Sequence, residues 1–155
     1  MLRREQLLQE IEHDAYKSKR KLAEPAHCPD CGAVWRGGRW AWGPVAPHSQ
    51  PERCPACHRV HDEFPAGYVG VHGPFLAAHR DEILSLARNC EADAKAEHPL
   101  QRIMAVAEDG EGVLVTTTDP HLARRIGEAL HDAYRGELEY HYNREDNLLR
   151  VSWRR

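Results

Sequence analysis

The sequence contains little strongly apolar material. Leu, Ile, Val and Phe account for 29 of the 155 residues, and their longest uninterrupted run is residues 113–115. A transmembrane helix needs about 20 consecutive apolar residues, so we expect no membrane span. Residues 1–6 are charged and lead into no apolar segment. We therefore expect no signal peptide and a cytoplasmic location.

The sequence also lacks the short motifs of common catalytic and nucleotide sites. It has no G-x-x-x-x-G-K-[ST], no G-x-G-x-x-G and no H-E-x-x-H. Two carboxylate–histidine neighbours, Glu97-His98 and Asp119-Pro120-His121, are weak evidence for a catalytic pair. Asp119 is better explained as a helix N-cap. We therefore expect a binding protein and not an enzyme, and we identify no small-molecule substrate.

Lysine is scarce, with 4 lysines against 17 arginines, and the formal net charge is −3. Arginine presents a planar group that binds phosphate and stacks on bases. Because the chain is slightly acidic, any surface that binds nucleic acid must be a local basic patch.

Four of the five cysteines form two C-x2-C pairs, Cys28/Cys31 and Cys54/Cys57, with 22 residues between the pairs. Each pair aims two thiolates at one point, and together they supply the four soft ligands that tetrahedral Zn²⁺ prefers. The pattern predicts a zinc ribbon at residues 27–73 with one Zn²⁺ per chain. A closed four-thiolate site leaves no open coordination position, which indicates a structural metal.

Other interpretations of these residues remain open. Iron binds the same four ligands, and disulfides would require an oxidising compartment. His27, His58 and His61 flank the pairs and are candidates either for hydrogen bonds to the ligands or for alternative ligands, although four cysteines already fill a tetrahedron. The fifth cysteine, Cys90, lies on an apolar helical stripe and is expected to be a small buried residue.

Two further segments are candidates for contact with RNA. Residues 2–23 show helical spacing and end in a basic segment, which either suits the negative end of the helix or contacts phosphate. The second segment is a predicted hairpin between the cysteine pairs, with Gly37-Gly38 at its turn. Exposed aromatic rings beside arginine stack on unpaired bases, but the same rings could form the core of the ribbon. The candidate residues are Lys17, Lys19, Arg20, Lys21, Arg36, Arg39, Trp40 and Trp42, with Trp35 as a further aromatic residue.

The periodicity of the whole chain predicts an α+β fold in four parts. These are a basic N-terminal helical arm (1–26), the zinc ribbon (27–73), a connecting helix (74–99) and a ββαββ domain (100–155). We expect the last part to be an antiparallel sheet with helices on one face.

Four stretches of the chain carry a likeness to known proteins, and they are CPDCGAVWRGGRWAW, CPACHRVHDEFPAGYVGVHGPF, EHPLQRI and TTTDPHLARRIGEALHDAYRGEL. They resemble a family of bacterial zinc-ribbon proteins, and the likeness covers residues 27–155. More distantly, paired cysteines followed by an α+β unit are similar to the N-terminal part of the large-subunit (60S) export adaptor of eukaryotes and its archaeal relatives. That resemblance implies zinc at the four paired cysteines and binding to the ribosome. The adaptor family has further cysteines, a second metal centre and further domains, none of which this chain matches.

The leading hypothesis is a cytoplasmic zinc-ribbon protein that binds RNA, on the ribosome or a related ribonucleoprotein. The alternative is a zinc-stabilised adaptor whose aromatic patch meets another protein. Salt separates the two, because RNA binding weakens steeply as the salt concentration rises.

Overall fold

The computed structural model describes Tyr16 and residues 22–155. The predicted N-terminal helix lies almost wholly outside the described residues, and so do Lys17, Lys19, Arg20 and Lys21. The described chain is α+β, with two mixed sheets and three helices. None of these three helices has the length and apolar character needed to span a bilayer.

Four short strands surround the cysteine pairs and form one sheet. They are β1 (Ala26–His27), β2 (Val34–Arg36), β3 (Arg39–Ala41) and β4 (Gln50–Pro51). Their spatial order is β3-β2-β1-β4, with β1 parallel to β4 and the other neighbours antiparallel. The predicted hairpin is present as β2 and β3, with Trp35 opposite Trp40. Gly37 and Gly38 form its turn, and both have a positive φ that favours glycine.

The second cysteine pair begins a helix that the sequence analysis did not predict. Helix α1 (Pro55–Asp62) follows Cys54, whose backbone is extended and serves as the N-cap. Pro55 occupies the first helical position, where its missing N–H would have no partner within the helix. The helix ends at Glu63, which has the left-handed φ of 52°.

The rest of the chain forms a larger sheet with two helices, and we call residues 67–155 the C-terminal unit. The strands are β5 (Gly67–His72), β6 (Ile103–Asp109), β7 (Gly112–Thr117), β8 (Glu137–Asn143) and β9 (Leu148–Arg154). The helices are α2 (Pro74–Glu97) and α3 (Pro120–Tyr134). The spatial order of the strands is β6-β7-β5-β9-β8, with β5 parallel to β9 and the other neighbours antiparallel.

This sheet differs from the predicted antiparallel ββαββ layout because β5 lies at its centre. Strand β5 falls within residues 27–73, the range predicted for the ribbon, where the sequence indicates a turn-rich segment with a short strand at 68–71. Gly67 is a packing position. A side chain at Gly67 would meet the Cβ of Ala123 at 2.6 Å, so glycine lets α3 pack closely against the strand. The parallel pairing of β5 with β9 makes the sheet mixed.

One hydrophobic core joins the sheet to both helices. Val69 and Val71 of β5 lie in register with Val115 and Val113 of β7, and all four side chains are buried on the same face. The core receives the predicted apolar stripe of α2 and three leucine or isoleucine side chains of α3. The helical members are Leu76, Ile83, Ala87, Cys90, Ala94, Leu122, Ile126 and Leu130.

Candidate metal centre

The first cysteine pair sits in a tight turn between β1 and β2. The backbone N–H of Gly32 donates to the carbonyl oxygen of Cys28 at 2.9 Å, and the N–H of Cys28 donates to that of Ala33 at 2.8 Å. Gly32 has a φ of 83°, which is strained for residues with a side chain. The turn therefore brings both sulfurs of the pair to the same side of the backbone.

The second cysteine pair sits at the N-terminus of α1. The N–H of Cys57 donates to the sulfur of Cys54 at 3.3 Å, and the N–H of Cys54 donates to the sulfur of Cys28 at the same distance. Free N–H groups and the helix dipole make this end of a helix favourable for negative charge. Arg53 and Asp30 add an ion pair of 2.6 Å between the two cysteine pairs.

The four cysteines are positioned to bind one metal ion. The sulfurs of Cys28, Cys31, Cys54 and Cys57 all lie within 4.8 Å of one another, and those of Cys31 and Cys54 are 3.8 Å apart. A regular tetrahedron with Zn–S bonds of about 2.3 Å has edges of about 3.8 Å. The donor set and its spacing therefore fit Zn²⁺, while the same tetrahedron of thiolates also accepts iron. Three of the four cysteines are buried and Cys31 is half-buried.

Arg102 contacts the metal centre from the C-terminal unit. Its Nη2 donates to the sulfur of Cys54 at 3.2 Å and to that of Cys57 at 3.3 Å. Four thiolates around a divalent ion carry a net charge of −2, which a guanidinium offsets in part. Sequence reasoning missed Arg102 because it lies 45 residues beyond Cys57 and belongs to no cysteine motif.

The sulfurs influence the protonation of their neighbours. The hydrogen bond with Cys54 lowers the pKa of Cys31 to about 4, and the same contact raises the pKa of Cys54. Burial raises the pKa of Cys57, although the hydrogen bond from Arg102 opposes this. Burial also acts to lower the pKa of Arg102, but its contacts with Cys57 and Cys54 outweigh that effect and raise it. The guanidinium therefore stays charged beside the sulfurs.

The three tryptophans of the ribbon have different surroundings. Trp35 and Trp40 meet edge to face with ring centroids 5.6 Å apart, and Trp40 also packs against the cysteine cluster. Trp42 is 39% exposed, and its Nε1 donates to the carbonyl oxygen of Lys95 at the end of α2, at 2.6 Å. Trp40 thus contributes to the small core, and Trp42 joins the ribbon to the C-terminal unit.

The two arginines of the hairpin also differ. Arg36 donates from Nη2 to the carbonyl oxygen of Pro44 at 3.2 Å. Arg39 is exposed and has no hydrogen bond or ion pair with another described residue. Arg39 therefore keeps its whole guanidinium for an anionic ligand, whereas one N–H group of the exposed Arg36 is already engaged.

A cleft of about 800 Å³ lies between the ribbon and the C-terminal unit. The hairpin and the start of α1 form one wall, and residues 98–101 with the start of α3 form the other. Asp119 caps α3 as predicted, accepting from the N–H of His121 at 2.7 Å, and also contacts the His121 ring at 3.0 Å. The residues that line the cleft include Trp35, Arg39, Trp40, Pro55, His58, His98, Pro99, Leu100, Gln101, Asp119 and His121.

Comparison with known proteins finds no family model, no curated protein and no solved structure that matches this chain. The resemblance to bacterial zinc-ribbon proteins and to the export adaptor stays a prediction.

Proposed function

We propose that this chain is a cytoplasmic, non-enzymatic zinc-ribbon protein that binds single-stranded RNA, on the ribosome or another ribonucleoprotein. The observation that carries the proposal is the wall of the cleft, where Trp35 and Trp40 lie beside Arg39. Aromatic rings next to an available cation are the groups on which proteins stack unpaired bases and hold phosphates.

The size and composition of the cleft support this ligand. Ligand sites have volumes of about 300–1,000 Å³, and the cleft lies within that range. Arg53 is already paired with Asp30, and the carboxylates of Glu52 and Asp119 also line the cleft, so Arg39 and the histidines are the groups proposed to meet phosphate. The basic residues Lys17, Lys19, Arg20 and Lys21 precede Leu22, which lines the cleft, and we include them in the proposed surface.

The chemistry of the metal centre supports a binding role over a catalytic one. Four cysteine ligands fill the coordination shell of Zn²⁺, so no position remains for water or a substrate. The metal then acts by holding the hairpin and α1, which carry one wall of the cleft.

The test is binding of a short fluorescent oligouridine by variants first shown to retain zinc and fold. Trp35→Ala removes a ring that lies outside the cysteine cluster, and we expect it to cost about 1–3 kcal/mol of binding free energy. Arg39→Gln should weaken binding and reduce its salt dependence. Arg154→Gln is the matched control, because Arg154 is exposed on β9 and does not line the cleft. Undiminished binding by both cleft variants would contradict the proposal.

A protein adaptor is the second candidate function. Val60 and Phe64 are 47% and 49% exposed at the end of α1, an apolar pair that suits contact with another protein. Binding of a partner that persists at high salt and is lost in Phe64→Ser, while oligouridine fails to bind, would favour this alternative.

A further inference from the structure

Arg102 bonds to the metal centre at one end and to a wall of the cleft at the other. Its Nη2 contacts the sulfurs of Cys54 and Cys57, and its Nε donates to the carbonyl oxygen of Pro99 at 3.1 Å. Pro99, Leu100 and Gln101 line the cleft. One guanidinium therefore connects two ligating sulfurs to the backbone of the cleft wall.

The segment around Arg102 is also held by two residues of the C-terminal unit, Thr118 and Glu91, and the N–H of Ile103 donates to the carboxylate of Glu91. The N–H of Arg102 donates to Thr118 Oγ1 at 2.9 Å, and the N–H of Thr118 returns a bond of 2.9 Å to the carbonyl oxygen of Arg102. Thr118 Oγ1 also donates to the carbonyl oxygen of Leu100 at 2.6 Å. These bonds fix the side of the segment that faces the sheet, while Arg102 fixes the side that faces the ribbon.

The opposite wall of the cleft includes the residues that directly follow Cys54 and Cys57. Pro55 directly follows Cys54, His58 directly follows Cys57, and both line the cleft. Leu100 packs against the cysteine cluster. Both walls therefore depend on the position of one pair of cysteines, which the metal holds in place.

We propose that Arg102 is a positioning residue that couples occupancy of the metal site to the shape of the cleft. With the metal bound, the sulfurs of Cys54 and Cys57 present a negative charge that holds the guanidinium, and Arg102 holds residues 98–102 against the ribbon. When the metal leaves, the cysteine turns lose their shared anchor and that segment is released. This regulation rests on the proposed function, since RNA is the ligand proposed for the cleft.

The first test is transfer of zinc from the full chain to a colorimetric chelator. Loss of a group that contacts metal ligands commonly costs about 10–100-fold in metal affinity, and we expect Arg102→Gln to lose zinc at a correspondingly lower chelator concentration. Arg102→Lys keeps the charge and should recover part of the difference. Arg154→Gln makes the same charge change on β9 and should match the wild type. Equal zinc retention by Arg102→Gln and the wild type would overturn the proposal.

The second test is amide hydrogen exchange at saturating zinc. In Arg102→Gln we expect residues 100–102 to exchange about tenfold faster or more, because bonds from a charged donor are the stronger class. Strand β7 should be unchanged. If residues 100–102 exchange at the wild-type rate in both Arg102 variants, the proposed coupling between the metal site and the cleft is wrong.

Oligouridine binding separates this inference from the proposed function. Weaker zinc retention, faster exchange and weaker RNA binding together support both. Weaker zinc retention and faster exchange with unchanged RNA binding would leave the coupling standing and overturn the cleft as the RNA site.

Discussion

The ribbon and the C-terminal unit are stabilised by different means. The buried cluster of the ribbon consists of Cys28, Ala33, Cys54, Ala56 and Cys57, all small side chains. Its strands are two or three residues long. The C-terminal unit has strands of six or seven residues and a core of branched aliphatic side chains together with the fully buried Trp153.

The difference shows what the metal contributes. Burial of apolar surface contributes about 25 cal/mol per Å², so a cluster of alanines and cysteines with one partly buried tryptophan provides little driving force. Small units that cannot build a core commonly depend on a metal, whose binding energy is then folding energy. We therefore expect the ribbon to be ordered only with its metal and the C-terminal unit to be ordered without it.

Hydrogen bonds from individual side chains join the ribbon to the C-terminal unit. Arg102 reaches from the C-terminal unit to two sulfurs, and Trp42 reaches from the ribbon to the carbonyl oxygen of Lys95. The ribbon and the C-terminal unit therefore contact each other but have separate sources of stability.

The largest expected effect is the loss of the metal centre in Cys54→Ser. Cys54 is one of the four candidate ligands, the N-cap of α1 and the acceptor of the Cys57 N–H. We expect metal content to fall from one ion per chain to near zero and the ribbon to unfold, while the C-terminal unit keeps its structure outside residues 98–102. Elemental analysis and circular dichroism check this. Wild-type protein that contains iron, or no metal, would contradict the assignment of zinc.

The second-largest effect is expected in the C-terminal unit. Trp153 is fully buried, and its Nε1 donates to the carbonyl oxygen of Arg135 at 2.6 Å. Trp153→Ala should cost about 3–5 kcal/mol in the free energy of unfolding of the C-terminal unit. Denaturant unfolding measures this loss, and a variant as stable as the wild type would argue against a single core in this unit.

A smaller effect is expected at the fifth cysteine. Cys90 lies in the core with the apolar stripe of α2, and burial raises the pKa of its thiol. Cys90→Ala should cost about 1 kcal/mol or somewhat more in stability and leave metal content unchanged. Elemental analysis of this variant is the check, since a loss of metal would show that Cys90 is a ligand.

The smallest effect is expected where Trp42 joins the ribbon to the C-terminal unit. Trp42→Phe keeps an aromatic ring but removes the hydrogen bond to Lys95. Because the side chain is partly exposed, we expect a cost of about 0.5 kcal/mol, at the low end for a hydrogen bond. Thermal unfolding of metal-loaded protein measures it. A cost of several kcal/mol would mean that the two parts depend on each other far more than their cores indicate.

Local patterns predicted the features that local physics decides. The spacing within each cysteine pair led to the four sulfurs that lie together, and Gly37-Gly38 led to the β2–β3 hairpin. Helical periodicity identified the buried stripe of α2, including Cys90. In each case the deciding residues are within a few positions of one another, or belong to a motif that repeats.

The features that were missed depend on contacts between distant residues. The central position of β5 follows from its pairing with β7 and β9, and its glycines serve close packing against Ala123 and other neighbours. Arg102 reaches the sulfurs only because the larger sheet places residues 98–102 beside the ribbon. Residue spacing along the chain predicts neither the central position of β5 nor the contact of Arg102 with the sulfurs.

The most direct test of the account is amide hydrogen exchange of the zinc-loaded chain before and after treatment with a chelator. We expect the amides of Gly32, Cys57 and residues 100–102 to lose protection, while those of β5, β7 and β9 keep it. If the five-stranded sheet loses as much protection as the ribbon, the two parts do not have separate sources of stability. If the ribbon amides stay protected after the metal is removed, the metal is not what stabilises the ribbon.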